Sequence, residues 1–569
     1  MASLLIDRIR GNDPTLSSLL VAYGFPVGRD SMCLMARPLL EDPPTPERIF
    51  QREVDIIDFC EALSKNTSIM DIELHGWLQA TDPYIRRLTA AISQMKDLKH
   101  LCCAILEFHT ERFAVELGNL VASLNKLEEV KIECVLMEFD FSVLAGALAV
   151  HPTVEKFSLD VHVSPQHASQ DFRRSFDCLG RALLSAPNLR VVELAVPWVA
   201  NRATIAPVLA PPTPPPFSAF FGDDLLESLL LRPMIKEIAL FYFPLDENSC
   251  GLLCAGLEHS SSLQKFTLQG CGISEMNYVS IFRILQRLET LEDFRLSICI
   301  PFQTTGAKAL YRFLTESKSL KRLAFLQTEE LWQRRPYYIV EPTHEETHDY
   351  ASYAVARSLL KDTSCRELEL CCFRMETVGY LDFEASLNDD YLEDPKNAGV
   401  ASLLTTVLNS KSNLTTLHLN NCLTNDNTYT LILRSLWDNK SLLSLNTALE
   451  NSADLGFFFG DRESTSFDRN AVILDLVRCN RYIENIELEG ILQNDALEEI
   501  MMFGAKENRI RKEKEQEEIL GWLHLNRKGR RDISMENTRK SRAVELLIET
   551  KENTHCAFSM LLESPSLYF

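Results

Sequence analysis

Triplets of apolar residues recur along the chain with one spacing, in which the second residue lies three positions after the first and the third lies five positions after it. We call this triplet the frame. The alternation at the end of the frame predicts a short strand with one buried face. A recurrence at 28 or 29 residues predicts about fourteen similar stacked units. The frames begin at Leu16, Ile69, Leu98, Leu127, Val154, Leu189, Ile235, Leu263, Leu291, Leu320, Cys365, Leu414, Leu442 and Ile483.

Two further apolar positions precede each frame, ten and six residues before its first member. The earlier position is apolar in every frame, as at Phe59 and Leu253, and the later one is apolar in all but the first frame, where it is Arg10. A separation of four residues places both positions on one face of a helix. Each unit is therefore predicted to be a helix followed by a strand, and neighbouring units must stack to bury their apolar faces.

Residues 251–273 and 407–423 resemble the ribonuclease-inhibitor-like class of leucine-rich repeats. In that class an Asn or Cys lies eight residues after the first frame residue, and Cys271, Cys299 and Cys422 match this position. The resemblance implies an α/β fold, a right-handed solenoid or horseshoe with a parallel concave sheet, outer helices and a helical C-terminal cap. It specifies a fold rather than an activity.

A weaker likeness concerns the two ends of the chain. Residues 6–16, 523–531 and 564–567 resemble segments of uncharacterised algal repeat proteins. This likeness implies no particular chemistry.

After Leu189 the repeat spacing is interrupted in four places. We predict a solenoid over residues 1–500, followed by a helical, locally basic C-terminal cap or tail over residues 501–569. The loop insertions are predicted near 201–222, 328–343, 375–396 and 449–468.

Two of these insertions have a distinctive composition. Residues 207–217 are dense in proline, which suits a loop spacer or a polyproline ligand for an aromatic groove. Residues 376–395 mix acidic and aromatic side chains, which suits a solvated loop or an element that docks on a basic partner. The sequence leaves both alternatives open in each case.

The segment His344-Glu345-Glu346-Thr347-His348 matches the H-E-x-x-H pattern, in which two histidines one helical turn apart bind zinc and the glutamate acts as a base. A metal-dependent hydrolase is therefore one alternative function. The preceding Pro342 and Thr343 instead favour a polar helix N-terminus, where acidic residues stabilise the helix dipole. This second interpretation predicts no metal, no cofactor and no catalytic residue.

The C-terminal region supplies another alternative. Residues 506–542 carry twelve Lys and Arg against seven Asp and Glu, and residues 527–531 read Arg-Lys-Gly-Arg-Arg. Such a stretch suits a nuclear or nucleic-acid-associated role. A capping element that covers the last repeat is the interpretation we prefer, since an open solenoid needs one.

Composition narrows the class of protein. The chain has 569 residues, a formal net charge of −22 and 46% hydrophobic residues. The acidity argues against binding a phosphate backbone along the whole surface, and neither a long apolar run nor a signal-peptide core is present. The sequence thus predicts a cytoplasmic, monomeric protein, with the nucleus as an alternative location and no membrane association.

The concave side of the predicted sheet is expected to be the binding surface. Its outward positions lie immediately before and after the middle residue of each frame, and the charged residues at these positions are mostly acidic. This surface predicts a non-enzymatic scaffold or adaptor for a protein partner, and its acidity favours a basic partner. The predicted contact residues are Asp71, Glu73, Glu129, Lys131, Lys156, Glu193, Glu237, Lys265, Asp293, Arg295, Arg322, Glu367, Glu369 and Glu487.

Overall fold

The computed structural model of the protein describes residues 2–24, 33–38, 48–50, 53–76, 83–105, 111–136, 141–163, 170–195, 221, 225–243, 245–298, 304–327, 354–355, 357–359, 361, 364–371, 400–409, 413–420, 423–424, 426–446, 450–451, 469–487 and 505–527. The chain divides into two compact units, residues 1–273 and residues 274–569. Each unit is built from alternating strands and helices.

The first unit is a sheet with helices between its strands. The strands are β1 (Ser18–Gly24), β2 (Cys33–Pro38), β3 (Arg48–Phe50), β4 (Asp71–Gly76), β5 (His100–Ile105), β6 (Glu129–Leu136), β7 (Lys156–Val163), β8 (Val191–Ala195), β9 (Glu237–Phe241) and β10 (Lys265–Gln269). The helices are α1 (Ala2–Arg10), α2 (Glu53–Ser64), α3 (Pro83–Ile92), α4 (Glu111–Ser123), α5 (Ser142–Val150), α6 (Gln170–Ser185), α7 (Leu225–Leu230) and α8 (Glu247–His259). The strand order is β10-β9-β8-β7-β6-β5-β4-β1-β2-β3.

The second unit repeats this pattern. Its strands are β11 (Asp293–Ile298), β12 (Arg322–Gln327), β13 (Glu367–Cys371), β14 (Thr416–Asn420), β15 (Leu423–Thr424), β16 (Ser444–Asn446), β17 (Glu450–Asn451) and β18 (Asn485–Glu487). Its helices are α9 (Glu275–Leu285), α10 (Thr304–Glu316), α11 (Val400–Asn409), α12 (Asp426–Ser435), α13 (Arg469–Cys479) and α14 (Ala505–Arg527). The order β18-β16-β14-β13-β12-β11 is parallel throughout, and β15 pairs with β17 in a small parallel sheet.

The frames predicted from the sequence form these strands. In the described residues, β1 and β4 to β10 are parallel within the first unit, and β11 to β14, β16 and β18 are parallel within the second, one strand for each of the fourteen frames. The middle residues pair in register across neighbouring strands, as Leu19 does with Ile72 and Leu101 with Val130. The predicted fold class, an α/β leucine-rich-repeat solenoid with a helical C-terminal cap, is therefore confirmed.

The core lies between the frame residues and the predicted helix positions. Phe294 of β11 is fully buried and contacts Phe282 of α9 and Phe313 of α10, with ring centroids 6.3 and 5.4 Å away. Burying one such side chain contributes about 1.5–3 kcal/mol. Small residues let the helices approach: a Cβ at Gly256 would lie 2.9 Å from the Cα of Glu227, so α8 packs closely on α7 only with glycine there.

A row of buried asparagines stabilises the turns between helices and strands. The Asn480 side chain donates hydrogen bonds to the carbonyls of Leu436 and Asn439 at 2.6 and 2.8 Å, and its Oδ1 accepts from the backbone amides of Tyr482 and Ile483. One side chain thus bonds backbone groups of two successive repeats that no strand reaches. Asn66 and Asn439 make equivalent bonds.

The C-terminal helix α14 is the helical half of one more repeat. Its Ile519 and Leu523 are buried and have the spacing of the two helix positions. Asn526 donates to the carbonyls of Asn480 and Ile483, which continues the asparagine row. The cap therefore covers the last complete repeat by copying the geometry of a repeat helix.

The antiparallel strands β2 and β3 are an addition that the frame did not predict, because neither contains the L-x-x-L-x-L spacing. The predicted boundary at residue 500 and the extents of the insertions remain predictions. The proline-rich segment 207–217, the segment 344–348, the acidic segment 376–395 and nearly all of 527–531 lie outside the described residues.

Candidate functional site

The face of each sheet opposite the apolar frame carries the candidate site. Along a strand, side chains alternate between the two faces, so the residues on either side of the buried middle position point away from the core. In β4, for example, Asp71, Glu73 and His75 are partly exposed, whereas Ile72 and Leu74 are buried. We call the side with the partly exposed residues the open face.

Strand register arranges the open face of the first unit in rows. The first row contains the strand residues directly before the middle frame residue, and the pairing places opposite charges beside each other at several steps. Its members are Asp71, His100, Glu129, Lys156, Val191, Glu237 and Lys265. The second row is Glu73, Cys102, Lys131, Ser158, Glu193, Ala239 and Thr267.

The structure adds a third row that the sequence interpretation missed. Each frame defines two outward positions, but β4 to β10 extend far enough to present a third. This row contains His75, Ala104, Glu133, Asp160, Ala195, Phe241 and Gln269. The sequence contains the information needed to predict this row, because the residue four positions after the first outward residue lies on the same face of a strand.

Ion pairs connect the predicted residues of the first unit. Lys156 bridges Glu129 and Glu193, with nitrogen–oxygen distances of 3.1 and 3.3 Å, and Lys265 pairs with Glu237. Burial lowers the pKa of Lys156, but the two carboxylates more than offset this effect and raise it. Lys156 is therefore held in its charged form between the two glutamates.

The net negative charge of this face is larger than its first two rows alone indicate. Across the three rows of the first unit, seven carboxylates stand against three lysines, so four net negative charges remain. Glu133 and Asp160 lie side by side in the third row. Several side chains here remain accessible, including Glu73 at 38% and His100 at 46% exposure. Such a field attracts cationic groups.

The open face of the second unit has a different arrangement. Asp293 begins β11 and is buried, with only 3% of its surface exposed. Arg322 and Arg295 approach its two carboxylate oxygens through Nε, at 3.3 and 3.5 Å, and Arg322 also lies 3.8 Å from Glu367. Glu369 follows on β13, paired in register with Ala324. Of the predicted residues, only Glu487 has a side chain outside the described part of the chain.

Two neighbouring cysteines show how the faces differ chemically. Cys103 is fully buried on the frame side of β5, and Cys102 lies partly exposed on the open face. Burial raises the pKa of the Cys102 thiol to about 11, so this group is a protonated, weakly nucleophilic thiol at neutral pH.

Neither a metal cluster nor a spanning helix is found within the described residues. There, no three His, Cys, Asp or Glu side chains stand close enough to hold a metal ion together. None of the helices described is both long and apolar enough to cross a membrane.

Comparison with known proteins adds little to this picture. No protein-family model matches the chain, and no curated protein does. A solved structure described as the crystal structure of a TLR13–ssRNA13 complex aligns with 12% identity and a TM-score of 0.30, over 75% of this chain. The chain spans 50% of the length of that protein. A likeness at this level carries no functional conclusion, and the fold rests on the repeats themselves.

Proposed function

We propose that the protein is a non-enzymatic interaction scaffold that binds a protein partner through the open faces of its sheets. The observation that carries this proposal is the contrast between a regular buried frame and a charged, non-repeating open face. Repeat solenoids present extended surfaces of this kind, and their binding specificity resides in the variable positions. The fold belongs to the leucine-rich-repeat type, and we assign it to the ribonuclease-inhibitor-like class.

The partner we propose is a protein with a basic surface. The four net negative charges on the open face of the first unit favour cationic side chains and speed their approach. Nucleic acid is disfavoured because its phosphates would meet this acidic field. Ion pairs such as Lys156 with Glu129 fix the charged groups before a partner arrives, which reduces the entropy lost on binding.

We place the protein in the cytoplasm as a monomer. Buried thiols such as Cys103, Cys134 and Cys271 suit a reducing compartment, where cysteine packs as a small hydrophobic residue. The Cys271 thiol lies 3.3 Å from the carbonyl oxygen of Leu240, which supports the repeat class proposed above.

A charge-reversal experiment tests the proposal. Glu73, Glu129, Glu193 and Glu237 are changed together to lysine, and proteins captured from the source cell by the tagged variant and by the wild type are compared by quantitative mass spectrometry. Proteins with basic surfaces should be enriched by the wild type and lost from the variant. An unchanged captured set would refute binding through this face.

A matched control separates the site from total charge. Glu61, Glu247, Glu258 and Glu289 are exposed outside the open face, and their reversal changes the net charge by the same amount. This control variant should retain the captured set, and both variants should unfold at temperatures close to that of the wild type.

A further inference from the structure

One strand of the second unit carries an unusual concentration of buried polar atoms without hydrogen bonds. Asp293, Arg295 and Ser297 are the successive open-face residues of β11. Asp293 Oδ1, Arg295 Nε and Ser297 Oγ are each buried and make no hydrogen bond in the described structure. Proteins leave few such atoms. Two of the three, Asp293 Oδ1 and Arg295 Nε, lie 3.5 Å apart as an ion pair, so this strand holds a buried charged pair without hydrogen bonds.

The neighbouring strand contributes a second guanidinium group. Register places Arg322 of β12 beside Asp293, and the single buried carboxylate holds both arginines, at 3.3 Å from Arg322 Nε and 3.5 Å from Arg295 Nε. The arginine side chains are 50% and 40% exposed, whereas that of Asp293 is 4% exposed. The buried anion therefore positions two cations at the accessible surface.

The hydrogen-bonding capacity of both arginines remains largely unused. Their ion pairs run through Nε, and neither guanidinium makes a hydrogen bond within the described residues. A guanidinium group presents a planar fork of N–H donors that matches an oxyanion with two oxygens. The Ser297 hydroxyl lies on the same face of the same strand but is fully buried, so the accessible donors are those of the two arginines.

The surrounding charge selects among oxyanions. Asp293, Glu367 and Glu369 outnumber the two arginines by one, which disfavours a doubly charged phosphate group. A carboxylate carries one charge and can displace Glu367, whose nearest oxygen lies 3.8 Å from Arg322 Nε. We propose that β11 and β12 form a carboxylate-binding subsite, which takes an Asp or Glu side chain or a C-terminal carboxylate of the protein partner. This inference rests on the proposed function, since it assumes that the open face is the binding surface.

Short peptides test the subsite directly. The full-length protein is titrated with a seven-residue Gly/Ser peptide that is blocked at both ends and has one central Asp, and binding is followed by ligand-observed NMR at low ionic strength. The same peptide with Asn, the Asn peptide with a free C-terminus, and a phosphoserine peptide complete the set. The Asp and free-carboxylate peptides should bind, and the blocked Asn peptide should not. Tighter binding of the phosphoserine peptide would overturn the assignment to a carboxylate.

Conservative variants locate the binding. Arg295→Lys and Arg322→Lys keep the charge beside Asp293 but remove the fork, so each should raise the Kd of the Asp peptide about tenfold. Lys308→Met and Lys321→Met remove a charge from the same unit outside the open face and should leave this Kd unchanged. Unaltered binding in both arginine variants, with folding verified by thermal unfolding, would show that the subsite is elsewhere or does not exist.

The two proposals fail separately. Reversal of the four glutamates leaves β11 and β12 unaltered, so it tests the first unit alone. A wild-type protein that captures basic partners through that face but does not distinguish the Asp peptide from the Asn peptide refutes only the carboxylate subsite.

Discussion

The two faces of each sheet follow opposite rules. On the frame face, residues such as Phe157 and Leu417 are fully buried and alike from repeat to repeat. On the open face, the same strands carry acids, lysines, histidines and small residues in no repeating order. The first face buries apolar surface against the helices, and the second contributes little to that burial. The comparison teaches that stability and specificity reside on alternate residues of one strand.

Two adjacent residues of β7 provide the largest test of this difference. Phe157→Ala should reduce the free energy of unfolding by about 3–5 kcal/mol, because it leaves a cavity in the core. Lys156→Ala, one residue earlier, should cost about 1 kcal/mol or less, since its ion pairs are about one-third exposed. Chemical denaturation, with hydrogen exchange across β6 to β8 to locate the opening, measures both. Equal losses would contradict the division between the faces.

The buried asparagines of the turns provide a second test, in which a buried side chain is compared with an exposed one. Asn480→Ala should destabilise the protein by about 2–4 kcal/mol, because buried carbonyl and amide groups of two repeats lose their partner. Asn188 makes one exposed side-chain bond, to the carbonyl of Pro152, so Asn188→Ala should cost about 1 kcal/mol or less. Thermal unfolding of the two variants gives the comparison, and a similar cost for both would remove the special role of the row.

The smallest expected effect on stability concerns a buried histidine and depends on pH. His151 occupies the turn position of the asparagines, and its Nε2 lies 3.0 Å from the Leu124 carbonyl oxygen. Burial lowers the pKa of this imidazole, so the folded state binds a proton less readily than the unfolded state. His151 therefore stabilises the folded state at pH values above the pKa of a histidine in the unfolded chain, near 6.5. This stabilisation is lost as the pH falls.

Replacement by the residue found in other repeats isolates that effect. His151→Asn should leave stability at pH 7.5 nearly unchanged and reduce the loss between pH 7.5 and 5.5. Urea unfolding at the two pH values measures it. A loss on acidification as large as that of the wild type would show that His151 is not responsible.

The sequence predicts one face better than the other. The frame and helix positions could be located because burial demands the same kind of residue in every repeat, and Phe59, Leu101 and Leu417 are buried as predicted. The asparagine row could have been found as well, since Asn66, Asn439 and Asn480 each lie three residues before a frame. The open face follows no such rule, because its residues interact with neighbours on other strands and, as we propose, with a bound partner.

Asp293 illustrates a structural property that could not be predicted from the sequence. Its position identifies it as an outward acidic residue, but its burial and its two arginine neighbours arise from register across strands. The antiparallel strands β2 and β3 were missed for a related reason, because their pairing with β1 depends on proximity rather than on a repeated spacing.

Site-specific crosslinking tests binding through the open face most directly. A photoreactive amino acid is placed at Glu73, His100 or Lys131 on the open face of the first unit, or at Glu61, Val150 or Glu258 on exposed helix positions, and the tagged protein is irradiated in the source cell. Covalent adducts with a protein partner should form from the open-face positions and be absent from the helix positions. Adducts that form only from the helix positions would contradict the central claim.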